Sequence, residues 1–361
     1  MTDKFAKIDK RLQTMREVDY IIVGLGIAGI SFCEQLRKNN KSFVVFDDGK
    51  TTSTAVSGGV FNPLVLKRFT KTWKAEEFIS HAVPFYETLS SELRTSIFSE
   101  IPIYRILTSV EEQNNWTVAC DKKEMSPFMF SENIKNKNAQ VLASYGYGKV
   151  LLSGRIQPEK LLELYTELLK GQNRLELGTF NYDLILETNS GIEYKSVSAK
   201  RIVFTEGVAA MHNPYFPKQL LIGNKGEYLI IKAPDLTLDY ILKGSLFIIP
   251  LGDSLFKVGA TYSREEYSLK TTLSAKEQII KKLSQIIQCD YDIIDQIAGI
   301  RPTTSDRRPL VGQLDPDSKI AFLNGLGARG ILMAPLLGKM LYELLEEGME
   351  LPNEVNITRF I

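Results

Sequence analysis

Apolar residues come in short unbroken runs near both ends of the chain and in alternating or helical spacing between them. Residues 18–23 form one such run. It gives way to Gly24-Leu25-Gly26-Ile27-Ala28-Gly29, then to a helical repeat through Leu36, and residues 43–46 form a second run that ends at Asp47. Short apolar runs bounded by turn residues read as buried strands, so this stretch predicts strand, tight turn, helix and parallel strand. The order returns late in the chain. Residues 320–323 precede Gly325-Leu326-Gly327-Ala328-Arg329-Gly330 and a helix over 331–347, with Pro335 expected in its first turn.

Between these two units the periodicity changes. Phe78, Val83, Phe85 and Leu89 predict a helix over 74–92 that Pro84 breaks or kinks, with strands and turns following through Tyr147. Residues 158–169 predict a second helix, opened by Pro158 and closed by Gly171. Residues 182–187 and 192–194 read as strands, and residues 201–205 as a strand delivering its C-terminal end to Gly207. From Gly226 onward, short alternating runs at 227–232, 246–250 and 255–261 predict an antiparallel sheet. A helix over 275–288 follows, then a loop region over 298–312. The fold class is α/β: a Rossmann-like dinucleotide domain beside a second, mostly antiparallel β domain.

Composition narrows the functions open to such a chain. A length of 361 residues allows about two domains. The formal charge of +1 carries no global footprint of a nucleic-acid binder, although a local basic patch stays open. Cys33, Cys120 and Cys289 lie far apart in no metal-ligand spacing, so neither a disulfide framework nor a metal site is expected. Residues 1–17 have no apolar core of a secretory signal and read as a polar lead-in, and no run is long enough to span a bilayer. A cytoplasmic location without membrane partners is expected.

The first glycine unit carries the chemistry. In a G-x-G-x-x-G turn, Gly24 makes the tight bend, Gly26 admits a pyrophosphate to the backbone and Gly29 lets helix and strand pack closely, while the N–H groups around Ile27 and Ala28 face the phosphates. Asp47 stands where a carboxylate accepts from ribose hydroxyls, and Asp48 beside it is the alternative. The late unit repeats the spacing but lacks an acid-ended strand after it, so a second dinucleotide is not expected. Its helix N-terminus, from Gly325, Gly327, Arg329, Gly330 and Ile331, could instead face the far end of the same ligand. A reduced flavin is anionic around N1 and O2, so FAD suits the two units better than NAD.

The chain resembles the D-amino-acid oxidase, glycine oxidase and sarcosine oxidase superfamily of FAD enzymes. The resemblance rests on the first glycine unit, on Ser57-Gly58-Gly59-Val60-Phe61-Asn62-Pro63, on Thr205-Glu206-Gly207, on Lys225-Gly226-Glu227, on Ala298-Gly299-Ile300-Arg301-Pro302 and on the late glycine unit. It implies a glycine-oxidase-like fold, with an FAD domain from residues 1–75, 148–215 and 296–361 and a substrate domain from 76–147 and 216–295. Ser57, Gly58, Gly59 and Val60 would line the flavin, which is expected to be non-covalent. The implied reaction is hydride transfer from an amine Cα to flavin N5, giving an imine that hydrolyses, with oxygen or another acceptor regenerating the flavin. The partners would be a small amine or amino acid and that acceptor.

Within the resemblance, Arg301 would hold a substrate carboxylate through its planar fork, the alternative being an ion pair with Asp306. Phe247 stands where several amino-acid oxidases carry a tyrosine, so the wall is kept and a hydroxyl donor is lost. Lys257 falls where sarcosine-oxidase-type members have a lysine that helps oxygen react, or is a solvated strand lysine. The late unit is also similar to the FAD domain of a bifunctional tRNA wobble-uridine enzyme, which leaves a tRNA substrate open but not preferred. A flavin-binding sensor or scaffold without turnover is the alternative of another class.

Overall fold

The computed structural model describes residues 15–50 and 52–360, so most of the lead-in expected over residues 1–17 lies outside the described residues. Arg16 and Glu17 already belong to the first strand, Arg16–Val23. That strand sits inside a sheet whose parallel core also contains Phe43–Asp47, Leu175–Leu177, Val197–Phe204 and Ile320–Asn324. Its residues are apolar on both faces because helices cover one side and an aromatic-rich cluster the other. The helices Ile27–Lys38 and Gly330–Glu347 lie against each other, and Gly338 brings their backbones within the reach of one Cβ.

A second sheet is built around the long hairpin-like pairing of Ile222–Lys232 with Asp292–Thr303. It continues through Leu255–Gly259, Phe247–Gly252, Ile241–Lys243, Ile103–Ile106 and Tyr147–Val150. All of these neighbours are antiparallel except Ile241–Lys243 with Ile103–Ile106. The boundaries expected at 148 and 296 fall inside two strands of this sheet. Helix Ala75–Glu92 packs instead on the closing helix of the first layer.

Several sequence expectations need correction. The region 298–312 is not a loop: its first part completes strand Asp292–Thr303, which Gly299 and Pro302 disguise. Pro302 is tolerated because this strand pairs with Ile222–Lys232 at one flank. Helix Val110–Cys120 was not anticipated, since few of its residues are buried and its apolar repeat is weak. Its N-terminus was legible, because Ser109 Oγ accepts from the Glu112 N–H at 3.1 Å in a Ser-x-x-Glu cap. Helix Ala75–Glu92 runs through Pro84 unbroken. Pro335 lies in the second turn of Gly330–Glu347, not its first. Proline leaves the carbonyl four residues earlier without its helical donor, and that carbonyl, of Ile331, accepts instead from the buried Tyr86 hydroxyl at 2.6 Å. The helix expected over 275–288 ends earlier, as Leu273–Leu283. No helix among the described residues is long and apolar enough to cross a membrane.

Candidate active site

The first glycine unit has the geometry its spacing requires. Gly24 adopts φ +100°, where a side chain would also meet the Thr205 carbonyl oxygen at 2.9 Å. A Cβ on Gly29 would stand 2.2 Å from the Gly24 oxygen, so helix and strand close on each other only without one. Gly26 differs: its Cβ would meet only Thr54 Oγ1, at 3.4 Å, leaving open space beside the helix N-terminus. The N-cap residue, Gly26, has no side chain to cap that terminus and the first turn holds no acid, so the helix itself supplies nothing against its partial positive charge. Ile27 N–H donates to Thr54 Oγ1 at 3.0 Å, while Ile27 and Ala28 are buried. The buried Thr205 hydroxyl donates to the carbonyls of Val23 and Gly24 at 3.0 and 2.7 Å, fixing the turn. Thr54 and Thr205 carry no fingerprint in the sequence as single residues.

The two acids at the next strand end are separated by direction. Asp47 turns inward, accepting from Leu25 N–H at 2.7 Å and Gly49 N–H at 2.8 Å, and burial raises its carboxyl above the usual range. Asp48 is more exposed and pairs with Lys50 at 2.7 Å. Asp47 is therefore the carboxylate at the glycine turn.

Ser57, Gly58, Gly59 and Val60 form a bend held from two sides. A Cβ on Gly59, at φ +69°, would lie 2.1 Å from the Ile156 oxygen, and one on Gly58 would lie 2.4 Å from Ile249 Cδ1. Val60 pairs with Arg155, whose Nε donates to the Gly58 oxygen at 3.4 Å. Lys257 reaches this bend from the second sheet: its Nζ donates to the carbonyls of Ser57 at 3.0 Å and Val56 at 3.4 Å, and pairs with Glu159 at 2.8 Å. Its side chain is only 3% exposed, which removes the reading as a solvated strand lysine. Burial pulls its ammonium pKa down, with Glu159 opposing. The pairing with Glu159, on the helix Pro158–Gly171, was not read from the sequence.

The late glycine unit converges on the first. A Cβ on Gly330 would stand 3.3 Å from Ile27 Cγ2, so the two helix N-termini are neighbours. Gly325 and Gly327 take φ +71° and +56°, and Ile331 is buried. This second N-terminus also lacks a side-chain cap and a first-turn acid. Arg329 is half-buried with no acidic partner among the described residues, and burial, with Arg308 and Arg307 nearby, lowers its pKa. Gly207, at φ +59°, starts a short 3-10 turn, and its carbonyl accepts from Asn324 Nδ2 at 2.8 Å.

Glu206, beside Gly207, was not singled out in the sequence beyond its motif. Burial lifts its carboxyl to about 7, against hydrogen bonds from Tyr182 Oη at 2.6 Å and Asn213 Nδ2 at 2.8 Å. A carboxyl raised on folding stabilises the native state fully below its unfolded pKa and loses that contribution as pH rises through 7. Glu206→Gln is therefore expected to flatten the fall in stability between pH ~4.5 and ~7 and to raise the Tm at pH ~8, by about 1–3 kcal/mol of stability. Thermal melts across that range check it; an unchanged pH profile would contradict it.

Opposite these termini, one face of the second sheet gathers the remaining residues. Arg301 pairs in register with Asn224, Tyr228 with Gly259, and Gly259 with Phe247, so the strand alternation puts Arg301, Gly226, Tyr228, Lys257 and Phe247 on the same face. The Arg301 guanidinium lies over Gly226, where a Cβ would come within 2.2 Å of Nη2. The alternative pairing of Arg301 with Asp306 is corrected: Asp306 is taken by Arg359 at 2.9 Å, and Arg301 has no acidic partner among the described residues. Phe247 is half-buried and offers a ring with no donor, with Lys243 Nζ 4.7 Å from its centroid. Burial, with Arg105 and Lys282, pulls Lys243 down to about 8. His81 bonds the Glu77 carbonyl at 2.9 Å on its own helix.

Two helix N-termini without first-turn acids beside glycine turns, an inward carboxylate at the second strand end, and an antiparallel sheet presenting an arginine with no acidic partner among the described residues are the features of a flavin-dependent oxidoreductase. Residues 19–344 match the profile of the FAD dependent oxidoreductase (DAO) family, and the chain belongs to that family. It is 25% identical to a glycine oxidase of Bacillus subtilis (strain 168), over 91% of this chain and 93% of that protein. It is 20% identical, over 89% of this chain but 54% of that protein, to the tRNA 5-methylaminomethyl-2-thiouridine biosynthesis bifunctional protein MnmC of Marinobacter nauticus. The fold is that of a glycine oxidase crystal structure from Bacillus cereus, with a TM-score of 0.73 over 92% of this chain and 96% of that one at 17% identity. FAD is the cofactor, and the residues present fit it: the open space at Gly26, two helix N-termini without first-turn acids and the carboxylate of Asp47 match a long anionic dinucleotide.

Proposed function

We propose that the protein oxidises the C–N bond of an amine that carries a carboxylate, an amino acid or an N-substituted glycine. The observation that carries this reading is the Arg301 guanidinium, lying over Gly226 without an acidic partner among the described residues, on the sheet face shared with Lys257 and Phe247. A planar fork in that position binds a carboxylate by two parallel hydrogen bonds. FAD, which the Gly24–Gly29 turn, Asp47 and the Gly325–Gly330 terminus would hold, would supply the two-electron acceptor for the amine Cα–H, and the imine product would hydrolyse in water to a carbonyl compound and an amine or ammonia.

The chain's own residues position and shield. Arg301 fixes the carboxylate end, so the reacting carbon is held at a set distance from it. Phe247 walls the site without donating, which favours a substrate whose carboxylate needs no hydroxyl partner. Lys257 anchors the Ser57–Gly59 bend through its two carbonyl contacts, placing a cation beside the segment that would line the flavin. Such a cation stabilises negative charge that develops as oxygen is reduced. Lys257→Met is expected to slow reoxidation of the reduced enzyme by oxygen by about tenfold or more with KM unchanged. Stopped-flow reoxidation measures it; an unchanged rate would leave Lys257 with anchoring alone.

The proposal is tested by product analysis with sarcosine, iminodiacetate and other N-substituted glycines. Equal amounts of released amine and carbonyl product support it. A second reading, an amine borne on tRNA, is supported by Arg307, Arg308 and Arg329, which gather at the late glycine unit with no acidic partner among the described residues, and by the partial similarity to MnmC.

A further inference from the structure

Three buried side-chain oxygens lack a hydrogen-bond partner among the described residues: Ser31 Oγ, Thr72 Oγ1 and Asn224 Oδ1. Ser31 lies where the helices Ile27–Lys38 and Gly330–Glu347 cross, and Thr72 closes the small hairpin of Leu64–Val65 with Thr70–Lys71. Asn224 alone belongs to the sheet face that carries Arg301. It stands directly across from Arg301 on the neighbouring strand, so the two side chains leave the sheet on one side.

The Asn224 amide is oriented by its neighbours. The Thr303 hydroxyl gives its single proton to the Ile222 carbonyl at 2.6 Å, so Thr303 Oγ1 is left as an acceptor and Asn224 Nδ2 donates to it. The donor half of the amide is thereby used, and the acceptor half is the open one. Asn224 is only 3% exposed, so its oxygen has given up hydration that nothing else in the protein returns.

The surroundings define the donor that would answer it. Arg301 leans away, with its guanidinium over Gly226, two residues along the strand from Asn224. On the other flank Arg264 is exposed and pairs with Glu265 at 3.3 Å. Thr303, which Asn224 holds, borders the late glycine unit, where a Cβ on Gly327 would meet Thr303 Cγ2 at 3.2 Å. Asn224 thus links the arginine to that unit. Neither a carboxylate nor the phosphates of a dinucleotide have a proton to donate, so neither satisfies Oδ1. An amine N–H does. Two residues along a strand span about 7 Å. A carboxylate oxygen lies about 3 Å from the nitrogen of the same amino acid, and a hydrogen bond of about 2.9 Å at each end bridges that span along a bent path.

We propose that Asn224 binds the substrate nitrogen: Oδ1 accepts a hydrogen bond from the amine N–H while Arg301 holds the carboxylate, which selects carboxylate-bearing amines over isosteres without an N–H. This assignment rests on the reading of Arg301 as the carboxylate clamp.

The test compares sarcosine with methoxyacetate, in which oxygen replaces the amine nitrogen. Both carry the carboxylate, and only sarcosine has an N–H. Anaerobic titration of the FAD-loaded enzyme gives the half-saturating concentration of each from the flavin absorbance, and the wild type is expected to bind sarcosine more tightly. Asn224→Ala is expected to raise the sarcosine value by about tenfold and to leave methoxyacetate unchanged or tighter, because an ether oxygen gains nothing from a facing acceptor. Asn224→Asp keeps an acceptor and adds a charge, so it should retain sarcosine and weaken methoxyacetate by about tenfold or more. A side chain that only supports the strand would move both ligands together in each variant. If Asn224→Ala loses its flavin, the opposite movement of the two ligands in Asn224→Asp decides alone. Equal weakening of both ligands, unchanged sarcosine binding in Asn224→Ala, or wild-type binding of methoxyacetate as tight as that of sarcosine would each overturn the assignment. In those cases, loss of both ligands in Arg301→Ala keeps the carboxylate clamp. Both ligands bound by Arg301→Ala as by the wild type, or neither perturbing the wild-type flavin, would reject the clamp and Asn224 with it.

Discussion

Replacing Arg301 by alanine is expected to raise KM for the carboxylate-bearing substrate by about 10²- to 10⁴-fold while the enzyme keeps its flavin absorbance. Two charge-assisted hydrogen bonds at about 1.5–3 kcal/mol each set that range. Arg301 lies on the second sheet with its guanidinium over Gly226, while its neighbours Pro302 and Thr303 are the residues beside Gly207 and Gly327, so truncating the Arg301 side chain leaves the glycine turns themselves intact. Arg301→Lys keeps the charge and loses the fork, and should recover only part of the affinity. Gly226→Ala offers an independent route to the same defect, because the new Cβ would stand 2.2 Å from Nη2 and displace the guanidinium. Steady-state kinetics on the three variants decide the matter. A wild-type KM in Arg301→Ala would remove the carboxylate clamp.

Gly26→Val is expected to give a folded, colourless protein whose affinity for FAD falls by about 100-fold or more. Gly26 has an extended backbone at φ −77°, which valine accepts, and its Cβ would project into the space beside the bare helix terminus. The side chain would therefore exclude the pyrophosphate without disturbing the apoprotein. Gly29→Val is the contrasting case. Its Cβ, 2.2 Å from the Gly24 oxygen, would force helix Ile27–Lys38 off the first strand, and a core clash of this kind costs about 4 kcal/mol or more. Gly29→Val should fail to accumulate as folded protein. Circular dichroism with FAD titration separates the two outcomes, and normal FAD binding by Gly26→Val would contradict the assignment of the cradle.

The cofactor cradle is legible in the sequence because its glycine spacing is local: Gly29 answers to Gly24 five residues before it, although the other atoms that Gly24 and Gly26 face belong to Thr205, Glu206 and Thr54. The late unit was legible for the same reason, although the contact of Gly330 with Ile27 is long-range and needed the fold. What the chain concealed depends on pairing across elements. The second half of strand Asp292–Thr303 reads as a loop because glycine and proline interrupt it, yet an eleven-residue partner, Ile222–Lys232, holds it extended. Lys257 could not be told from a surface lysine until Glu159 and two carbonyls from distant segments closed around it. Arg301 is legible as a candidate from its motif, but only the capture of Asp306 by Arg359 leaves it without an acidic partner among the described residues.

The most direct test of the central claim is an anaerobic absorption titration of the purified protein with a panel of amino acids and N-substituted glycines, repeated with bulk tRNA. The account predicts flavin bands that bleach on addition of a carboxylate-bearing amine, free or on RNA, and that stay oxidised with the corresponding decarboxylated amine. Bands that bleach equally with amines lacking a carboxylate, or that no member of either panel bleaches, would contradict it.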